Sequence, residues 1–416
     1  MKISMVSEHS SPIAPPGGVD SGGQNVHVAA LSRSLAARGH HVTVFTRRDS
    51  PGTPTRVAMC DGVEVVHLTA GPERHVPKEE LLPHMCAFAA GLAAAWSVEP
   101  PDIVHGHFWM SGLAALDGRQ EMLGPSPKPP IVQTFHALGS VKRRCLGAAD
   151  ESPPERARLE PMVGRQVDAV IATCPDEVQE LTLLGVPTQR IAVAPCGVDT
   201  QLFTPSGPVE ARGARFRILS VGRLVPRKGF DLAINALALL REFGFDDFEL
   251  VIAGSGSTSD GSDPERSRLA AIAKQLNVAS LVHFRGAVPR DDMPALFRSS
   301  DVVVCSPLYE PFGIVPLESM ACASPVVATR VGGLQNSIVD GETGLLVPPR
   351  KPTELACAIA RLLTDERLRR ALGDAGRQRA EREYDWAQVA KRTEHIYEQV
   401  IAGEELSSPR LTEVAK

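Results

Sequence analysis

The stretch DVVVCSPLYEPFGIVPLE, residues 301–318, contains one strand, one loop and the start of one helix. Its first half is almost wholly apolar, as expected of a strand that is covered on both faces. Pro316 suits the first turn of a helix, and Glu318 follows shortly after it. The loop between strand and helix carries Glu310 at the strand exit and Gly313 before the helix. This succession of strand, loop and helix is the repeating unit of a parallel α/β fold.

The same unit recurs along the chain, which indicates parallel sheets with helices on both faces. Strands are predicted at residues 2–7, 41–46, 63–68, 102–107, 131–136, 169–174, 191–199, 216–223, 248–256, 281–286, 301–307, 325–333 and 344–347. Helices are predicted up to about residue 38, over 78–97, from Ser111, near 155–166 and over about 385–402.

A break in this series divides the chain. Residues 200–215 are rich in proline, glycine and small polar residues, and 416 residues are too many for one ordinary core. We therefore predict an α/β protein with two doubly wound, Rossmann-like parallel-sheet domains, residues 1–205 and 206–384, facing a central cleft. The helix over 385–402 is expected to pack back on the first domain. Doubly wound sheets bind ligands beyond the carboxyl ends of their strands, so the loops there form the candidate site.

The composition excludes several classes of function. With 44 basic and 49 acidic residues the net charge is −5, which favours neither nucleic acid nor an anionic membrane as a partner. No apolar run approaches the ~20 residues that span a bilayer, and the N-terminal MKISMVSEHS is too short and polar for a signal peptide. The eight cysteines are scattered, without a CxxC pair, so a disulfide framework is not expected. We expect a cytoplasmic protein, and whether it forms a homodimer stays open.

Two loops at strand ends carry residue types that suit a phosphorylated sugar. Residues 15–25, PPGGVDSGGQN, place paired glycines before a helix, where backbone N–H groups can approach a phosphate or a sugar closely. Arg223 and Lys228 leave another strand end, and two cations there suit a diphosphate. An ordinary turn or a solvated basic loop would explain either feature taken alone.

The opening stretch and two histidines add to this set. The N–H groups from Gly313 to Val315 point out of a helix N-terminus, where they can hold sugar hydroxyls or an anion. Glu318 has a second explanation, which is compensation of the helix dipole. His107 and His136 end two successive strands of the first domain, and this favours a shared site over two separate structural histidines.

These residues resemble those of the retaining GT-B glycosyltransferases of glycosyltransferase family 4, the sucrose-phosphate-synthase-like family. The resemblance rests on Arg223-x4-Lys228 followed by Glu310-x7-Glu318, after a Gly–Gly first loop, and it covers nearly the whole chain. The segments DSGGQNV, KEEL, HGHFWMSG and FHALGSVK are particularly similar to the N-acetylglucosaminyltransferases that open mycothiol synthesis. They are also similar to aminocyclitol glycosyltransferases of aminoglycoside antibiotic biosynthesis.

The resemblance implies roles for these residues. Arg223 and Lys228 would bind the donor diphosphate, Glu318 would bind the ribose hydroxyls, and Glu310 would bind the donor sugar. The implied catalytic residues are His136, Glu310, Arg223 and Lys228. The implied donor-binding residues are Gly23, Arg223, Lys228, Val288, Phe312, Gly313, Ile314, Val315 and Glu318. The implied acceptor-binding residues are Asp20, Asn25, Lys78, His107 and Phe108.

The resemblance also implies the chemistry. The expected donor is a UDP-sugar carrying N-acetylglucosamine or glucose, and the anomeric configuration is expected to be retained. Fixed cations would stabilise the charge on the departing diphosphate more in the transition state than in the ground state. No obligatory metal is expected, since no Asp-x-Asp pair lies beside these motifs.

The acceptor half departs from the mycothiol-type pattern, in which a Lys, a Tyr, a Thr and an Arg hold an acceptor phosphate. Lys78 matches, but Phe108 and Ala137 replace the two hydroxyl-bearing residues, and the Arg falls at 156 or 158. We therefore predict an unphosphorylated cyclitol acceptor, such as the aminocyclitol 2-deoxystreptamine. Transfer to inositol phosphate or to a sugar phosphate is the alternative. A nucleotide-sugar 2-epimerase and a non-catalytic nucleotide-sugar-binding protein are weaker alternatives, because the complete Arg, Lys, Glu and His set suits transfer.

Overall fold

The apolar runs expected to be strands form two separate sheets. The computed structural model describes residues 1–14, 22–124, 127–256 and 261–406. The chain divides into two units. Unit 1 comprises Met1–Cys196 and the segment beginning at Trp386, and unit 2 comprises Gly197–Asp385. The division therefore falls before the expected boundary at residue 205.

The chain just after the division belongs to unit 2 because the end of that unit holds it. Val198 forms an isolated parallel bridge with Asp385. Arg377 donates hydrogen bonds to the carbonyl oxygens of Phe203, at 2.7 Å, and Thr200, at 3.2 Å. These contacts join segments far apart in sequence, so local composition gave no sign of them.

The sheet of unit 1 has the strand order β3-β4-β2-β1-β5-β6-β7-β8. All neighbouring pairs are parallel except β3 and β4, which are antiparallel. The inner strands are apolar along their whole length because helices cover both faces. The strands are β1 (Lys2–Val6), β2 (His41–Arg47), β3 (Arg56–Cys60), β4 (Val63–Leu68), β5 (Ile103–His107), β6 (Ile131–Thr134), β7 (Ala169–Ala172) and β8 (Ile191–Val193).

The sequence analysis missed β3. This strand lies at the edge of the sheet, and its residues alternate between exposed and half-buried. Asp61 and Gly62 join it to β4, with Gly62 at φ 77°. An Asp-Gly pair between two strands is a strong hairpin signal, and it identifies this strand once it is noticed.

The helices of unit 1 include one correction. The helix expected over residues 78–97 begins at Met85, because Pro83 cannot donate an N–H group within a helix. Two short 3₁₀ turns, Lys78–Glu80 and Leu82–His84, precede it. The helices are α1 (Gly23–Ala36), α2 (Met85–Val98), α3 (Trp109–Glu121), α4 (Gly139–Leu146), α5 (Arg156–Gln166) and α6 (Pro175–Leu183).

The sheet of unit 2 is wholly parallel, with the order β11-β10-β9-β12-β13-β14. Its strands are β9 (Phe216–Val221), β10 (Phe248–Ala253), β11 (Val282–Gly286), β12 (Val302–Cys305), β13 (Val326–Thr329) and β14 (Leu345–Val347). Its helices are α7 (Phe230–Glu242), α8 (Pro264–Gln275), α9 (Met293–Arg298), α10 (Ile314–Ala321), α11 (Leu334–Ser337), α12 (Pro352–Thr364) and α13 (Glu366–Arg379).

The last helix, α14 (Trp386–Ala402), belongs to unit 1. Glu394 on this helix pairs with Arg38 and accepts a hydrogen bond from His40 at 2.8 Å. Its apolar side packs in the same core cluster as β1 and β2. Within the ranges that the structure describes, no helix is both long and apolar enough to cross a membrane.

The order of the strands in each sheet determines which loops are neighbours at the predicted site. The chain order reverses between β9 and β12 in unit 2 and between β1 and β5 in unit 1. Such a switch point is where doubly wound sheets bind ligands, beyond the carboxyl ends of the strands. The loops after β9 and β12 are therefore neighbours, and so are those after β1 and β5. The predicted fold class, two α/β units with doubly wound parallel sheets, is confirmed.

Candidate active site

The loop after β9 brings basic residues to the switch point of unit 2. It makes a 3₁₀ turn over Pro226–Lys228 and enters α7 through Gly229, whose φ is 67°. A Cβ atom on Gly229 would lie 2.0 Å from the carbonyl oxygen of Ser306, which follows β12. Left-handed backbone and this close approach both require glycine. The basic loop is thereby fixed against the end of the neighbouring strand.

Lys228 and Glu310 form an ion pair between these two loops. Lys228 Nζ lies 2.5 Å from Glu310 Oε2, and both side chains are largely buried. Burial raises the pKa of Glu310, but Lys228 and Arg227 outweigh it and hold the pKa below its ordinary value. Arg223 acts in the same direction. Three basic residues therefore surround one ionised carboxylate, and a multiply charged anion could compete with it for them.

The N-terminus of α10 opens beside this carboxylate. Gly313 precedes the helix at φ 93°, and a Cβ atom there would lie 2.4 Å from Leu334 Cδ2. The side chain of Phe312 is buried, so only its backbone suits a ligand contact. The first N–H groups of a helix have no acceptor within it, so Ile314 and Val315 can donate to a ligand.

Glu318, in α10, pairs with a residue that the sequence analysis did not select. Arg290 Nη1 donates to Glu318 Oε1 at 2.8 Å. The Arg290 guanidinium carbon lies 5.1 Å from the ring centroid of Phe203, which holds it in place. Burial raises the pKa of Glu318, and Arg290 opposes that rise. Val288 precedes Arg290 in the loop after β11 and is half-buried.

In unit 1 the two predicted histidines form a hydrogen-bonded pair. His107 Nδ1 and His136 Nε2 are 3.0 Å apart. Their ring centroids are 5.2 Å apart and the ring planes differ by 25°, so the two nitrogens lie nearly on the line joining the rings. His136 and Phe108 hold φ angles of 60° and 82°, which non-glycine residues rarely adopt. Such backbone at two adjacent strand ends is typical of functional sites.

The same group of histidines has some features of a metal site. Burial lowers the pKa of His27 to about 4 and of His105 to about 3, and holds those of His107 and His136 well below 6.5. Ligand atoms of His27, His107 and His136 lie within 4.8 Å of one another. The alignment of the His107–His136 pair, however, directs the lone pair of one ring at the proton of the other and not at a common point. That no metal is obligatory stays a prediction, which this alignment supports.

The start of α1 carries the glycine-rich loop. Gly23 is the first residue of α1. Asn25 Oδ1 accepts from the N–H of Gly22 at 3.1 Å, and Asn25 Nδ2 donates to the carbonyl of Ser11 at 2.9 Å. Asn25 therefore fixes the entry to the helix, and its predicted acceptor contact stays untested. Asp20 lies outside the described residues.

Phe108 is buried, and Arg156 lies over its ring at 5.0 Å from the centroid. The same guanidinium donates to Glu160 Oε2 at 2.8 Å and to the carbonyl of Ala137 at 2.5 Å. A fourth partner is the hydroxyl of Ser152, which accepts from Nη1 at 3.3 Å. Two of the four groups that hold Arg156, Phe108 and Ala137, are the positions where the acceptor pattern departs from the family. Lys78 pairs with the carboxylate of the next residue at 3.1 Å.

The switch point of unit 1 contains a further cluster that sequence reasoning missed. Glu8 follows β1, and its Oε1 lies 2.6 Å from His9 Nδ1. The hydroxyl of Ser111, at the start of α3, donates to the other carboxylate oxygen. Because a carboxylate only accepts, His9 Nδ1 donates, and Nε2 of a neutral ring is left as an acceptor. An acidic residue directly after the first strand was the signal for this cluster.

Two doubly wound units, with basic residues around an ionised carboxylate at the switch point of one of them, are the arrangement expected of a glycosyltransferase of the GT-B class. Family models described as "Glycosyl transferases group 1" and "Glycosyltransferase Family 4" match residues 208–379 and 21–202. The chain belongs to this family of group 1, family 4 glycosyltransferases.

Relatives agree with this assignment. The chain is 39% identical to a D-inositol 3-phosphate glycosyltransferase of Acidothermus cellulolyticus over 87% of this chain and 82% of that protein. It is 36% identical to the enzyme of the same name in Kribbella flavida, over 95% of each chain. Among solved structures, sucrose-phosphate synthase of Thermosynechococcus elongatus matches with a TM-score of 0.86 and 31% identity, over 97% of this chain and 100% of that one. HepE of Anabaena, solved with UDP, shares the fold at 19% identity and a TM-score of 0.69, over 95% of this chain and 99% of that one.

Proposed function

We propose that this chain transfers a sugar from a UDP-sugar to a hydroxyl group of a cyclitol ring, with retention at the anomeric carbon. The observation that carries the proposal is the pattern at the switch point of unit 2, where Lys228 faces Glu310 and Arg290 faces Glu318. In a family of glycosyltransferases, this pattern supplies cations for a diphosphate and carboxylates for hydroxyl groups.

Donor binding would proceed by exchange of partners. The diphosphate would take Arg223 and Lys228, with Arg227 nearby, and release Glu310 from its ion pair. The freed carboxylate, which is ionised, would then accept hydrogen bonds from hydroxyls of the donor sugar. Glu318 would accept from the ribose hydroxyls.

Catalysis would rest on the same cations. As the bond from the anomeric carbon to the phosphate oxygen breaks, negative charge gathers on the diphosphate, and fixed positive groups stabilise it. The acceptor oxygen would bond to the same face of the anomeric carbon, and its proton would pass to the departing phosphate oxygen. His136, neutral and held by His107, would hydrogen-bond the transferred sugar. We propose no obligatory metal.

The names of the relatives support a cyclitol phosphate as the acceptor, since they are D-inositol 3-phosphate glycosyltransferases. Lys78 agrees with this as a cation that pairs with Glu79 in the structure and that a phosphate would take over from that carboxylate. The relatives give no support to a role in aminoglycoside biosynthesis, which stays a prediction. Uridine as the base is supported by a fold neighbour solved with UDP, and the choice of N-acetylglucosamine or glucose rests on the resemblance.

An unphosphorylated cyclitol is the second candidate acceptor, favoured by the state of Arg156. This guanidinium is 5% exposed and is held by Glu160 and the Ala137 carbonyl. An acceptor phosphate at Arg156 would have to displace a buried carboxylate, and Phe108 and Ala137 offer it no hydroxyl donor. Side-by-side assays with D-inositol 3-phosphate and an unphosphorylated cyclitol distinguish the two candidates.

Calorimetric titration with UDP, GDP and ADP tests the donor assignment. We expect UDP to bind the wild-type protein most tightly, and Glu318→Ala and Lys228→Ala each to weaken binding about tenfold or more, as loss of a charge-assisted hydrogen bond implies. Glu342→Ala, at an exposed turn of unit 2, is the matched control and should bind like the wild type. Wild-type affinity in both site variants would remove the assigned roles.

A further inference from the structure

Unit 2 contains a buried arginine and a buried tyrosine that lie outside the site described above. Arg379 ends α13, and one π-helical turn, Ala380–Tyr384, follows it. Arg379 and Tyr384 are 6% and 1% exposed. Burial of a guanidinium group is costly unless its N–H groups find acceptors, and π-helical turns are rare and often lie at functional sites. The acceptors of these two side chains therefore indicate their role.

Both side chains hold the C-terminal end of the short helix α11. Arg379 Nε donates to the carbonyl of Ser337 at 3.1 Å, and Arg379 Nη2 donates to the carbonyl of Asn336 at 2.9 Å. The hydroxyl of Tyr384 donates to the same Asn336 carbonyl at 3.2 Å and accepts from Arg379 Nη2 at 3.2 Å. The last carbonyls of a helix have no partner within it, and four residues are too few for a stable isolated helix. Arg379 and Tyr384 therefore hold α11 in place.

The other end of α11 packs on the loop that carries Glu310. The N–H of Gly333 donates to the carbonyl of Glu310 at 3.2 Å. A Cβ atom on Gly333 would lie 2.5 Å from Phe312 Cα, so the two backbones are in close contact. Leu334, the first residue of α11, packs against Gly313 so closely that a Cβ atom there would overlap it. The position of α11 thus sets the course of the backbone from Glu310 to Gly313.

Tyr384 also contacts this loop directly. Its ring centroid lies 6.1 Å from that of Phe312, with the ring planes at 59° to each other. Phe312 is 5% exposed, so this contact is part of the packed interior. The carbonyl of Tyr384 accepts from the N–H of Val198 at 2.7 Å, which fixes the backbone behind the ring. Tyr384 therefore acts on the loop both through Phe312 and through α11.

The charged contacts of the site come from other elements. Lys228 lies in the 3₁₀ turn after β9, and Arg290, the partner of Glu318, lies in the loop after β11. The hydrogen bonds of Arg379 and Tyr384 to α11 involve neither loop. A displacement of α11 should therefore move the Glu310 loop and leave the residues assigned to the diphosphate and the ribose in place.

We propose that Arg379 and Tyr384 are positioning residues for the donor sugar. Through α11 and Phe312 they fix the Glu310–Gly313 loop, so that the Glu310 carboxylate faces the sugar hydroxyls. This inference rests on the proposed function, which assigns the sugar contact to Glu310. Loss of either side chain lowers the affinity for the sugar part of the donor and preserves the affinity for UDP.

Calorimetric titration with UDP-N-acetylglucosamine, UDP-glucose and UDP, without an acceptor, separates the two parts of the donor. The quantity of interest is the ratio of UDP-sugar affinity to UDP affinity. Tyr384→Phe keeps the ring and removes the hydroxyl, and it should lower the ratio about threefold, as loss of one hydrogen bond implies. Arg379→Lys keeps a charge beside Glu383 but cannot donate to two carbonyls as a fork, and it should lower the ratio about tenfold. UDP affinity should stay close to that of the wild type.

Arg217→Lys is the matched control. Arg217 is 4% exposed in the same unit and donates to the Ala211 carbonyl at 2.6 Å and to Ser299 Oγ at 2.8 Å. It lies near the start of β9, at the edge of the sheet opposite the site. Arg217→Lys should lower the free energy of unfolding and leave the ratio unchanged. A wild-type ratio in both Arg379→Lys and Tyr384→Phe, or an equal fall in Arg217→Lys, would overturn the proposal.

Hydrogen–deuterium exchange tests the link through α11 without any ligand. Arg379→Lys should speed the exchange of amides in residues 308–315 and 332–337, because the helix that holds the loop is loosened. Exchange in residues 223–229, which carry the basic loop, should not change. Exchange at the wild-type rate in residues 308–315 would contradict the positioning role.

The proposed function and this inference fail in different ways. If Glu310→Gln lowers the ratio whereas Arg379→Lys and Tyr384→Phe do not, the sugar contact stands and the positioning role is wrong. If no UDP-sugar binds although Arg379→Lys speeds exchange in residues 308–315, the proposed function fails and the link through α11 stands.

Discussion

Several residues assigned to substrates in unit 2 already have a partner within the protein. Lys228 holds Glu310 at 2.5 Å, and Arg290 holds Glu318 at 2.8 Å. Each pair brings opposite charges together where burial would otherwise penalise an ionised group. The substrate binding proposed at these residues would therefore be an exchange of hydrogen bonds. Removing one partner of a pair would remove a contact and would also shift the pKa of the other partner.

Replacement of Arg290 by methionine should change the pH dependence of UDP binding. Glu318 must be ionised to accept ribose hydroxyls. Burial raises its pKa and Arg290 opposes that rise, so without Arg290 the pKa rises further. UDP affinity, which is lost as pH falls through this pKa, should then be lost at a higher pH in Arg290→Met. Cys305 and Cys322 also lie near Glu318, and burial raises the pKa of each thiol to about 12, so neither titrates in this range.

The measurement is the ratio of wild-type to variant affinity between about pH 6 and pH 8, in which the titration of UDP itself cancels. The ratio should be largest at low pH, and Arg290→Lys should restore much of the affinity. Arg330→Met, which removes a half-exposed partner of Asp340, is the control. A ratio that is constant with pH would mean that Arg290 has only a structural role.

Single residues could be predicted where a motif marks them. Arg223, Lys228, Glu310 and Glu318 were found by spacing. The structure places the last three in the two ion pairs, and Arg223 lies close enough to Glu310 to lower the pKa of that carboxyl. The partner of Glu318 was harder to predict. Arg290 lies in another loop, after β11, and contacts Glu318 because the carboxyl ends of the parallel strands lie at the same edge of the sheet. Its position beyond a strand end was the available signal.

At the scale of elements, the turn from β9 into α7 depends on one glycine. Gly229→Ala should destabilise unit 2 and weaken UDP binding, because the added Cβ meets the Ser306 carbonyl oxygen at 2.0 Å and φ is 67°. Gly244→Ala, just beyond the other end of α7, is a matched control: its φ is 90°, but a Cβ there meets nothing within 4 Å. Both variants carry backbone strain of about 1–3 kcal/mol.

Urea unfolding of the two variants measures the difference. Gly229→Ala should lose more stability than Gly244→Ala, and only Gly229→Ala should lose UDP affinity. Equal losses in both quantities would show that the approach to Ser306 is unimportant.

The elements that could be predicted are those with a strong apolar signal. Inner strands such as β12 are buried on both faces and apolar throughout, so they were recognised. The helix α4 was missed because it has only 8 residues and none of them is fully buried, so its apolar pattern is too short to separate from a loop. The start of α2 was wrong because Glu79–His84 has helical composition but is interrupted by Pro83.

At the scale of the whole molecule, unit 1 should lose stability in mild acid. His27, His105, His107 and His136 have folded-state pKa values well below 6.5, because burial disfavours the charged form. The unfolded chain binds these protons and the folded unit does not, so the stability that the four histidines contribute is complete above about pH 6.5 and is lost as pH decreases. Glu160 and Glu177, whose pKa values are raised by burial, oppose this loss. Each histidine contributes about 1.4 kcal/mol per pH unit in that window.

Urea unfolding between about pH 7.5 and 5 measures this slope. His27→Gln should reduce it by about 1.4 kcal/mol per pH unit, which is the contribution of one histidine. His41→Gln, at an exposed position, should leave it unchanged. A slope of the same size in His27→Gln would contradict the neutral state assigned to the buried cluster.

The division of the chain was only partly accessible from sequence. Composition marked a loop near residue 205, whereas Val198 and its bridge to Asp385 place the division earlier.

The proposed sugar transfer is tested most directly by mass spectrometry of reactions containing purified protein, UDP-N-acetylglucosamine or UDP-glucose, and a cyclitol. We predict a product with the mass of cyclitol plus one sugar, together with an equal amount of UDP, both lost in Lys228→Ala. Unchanged cyclitol and intact UDP-sugar, with every cyclitol offered and with the wild-type protein bound to UDP, would contradict the assignment as a transferase.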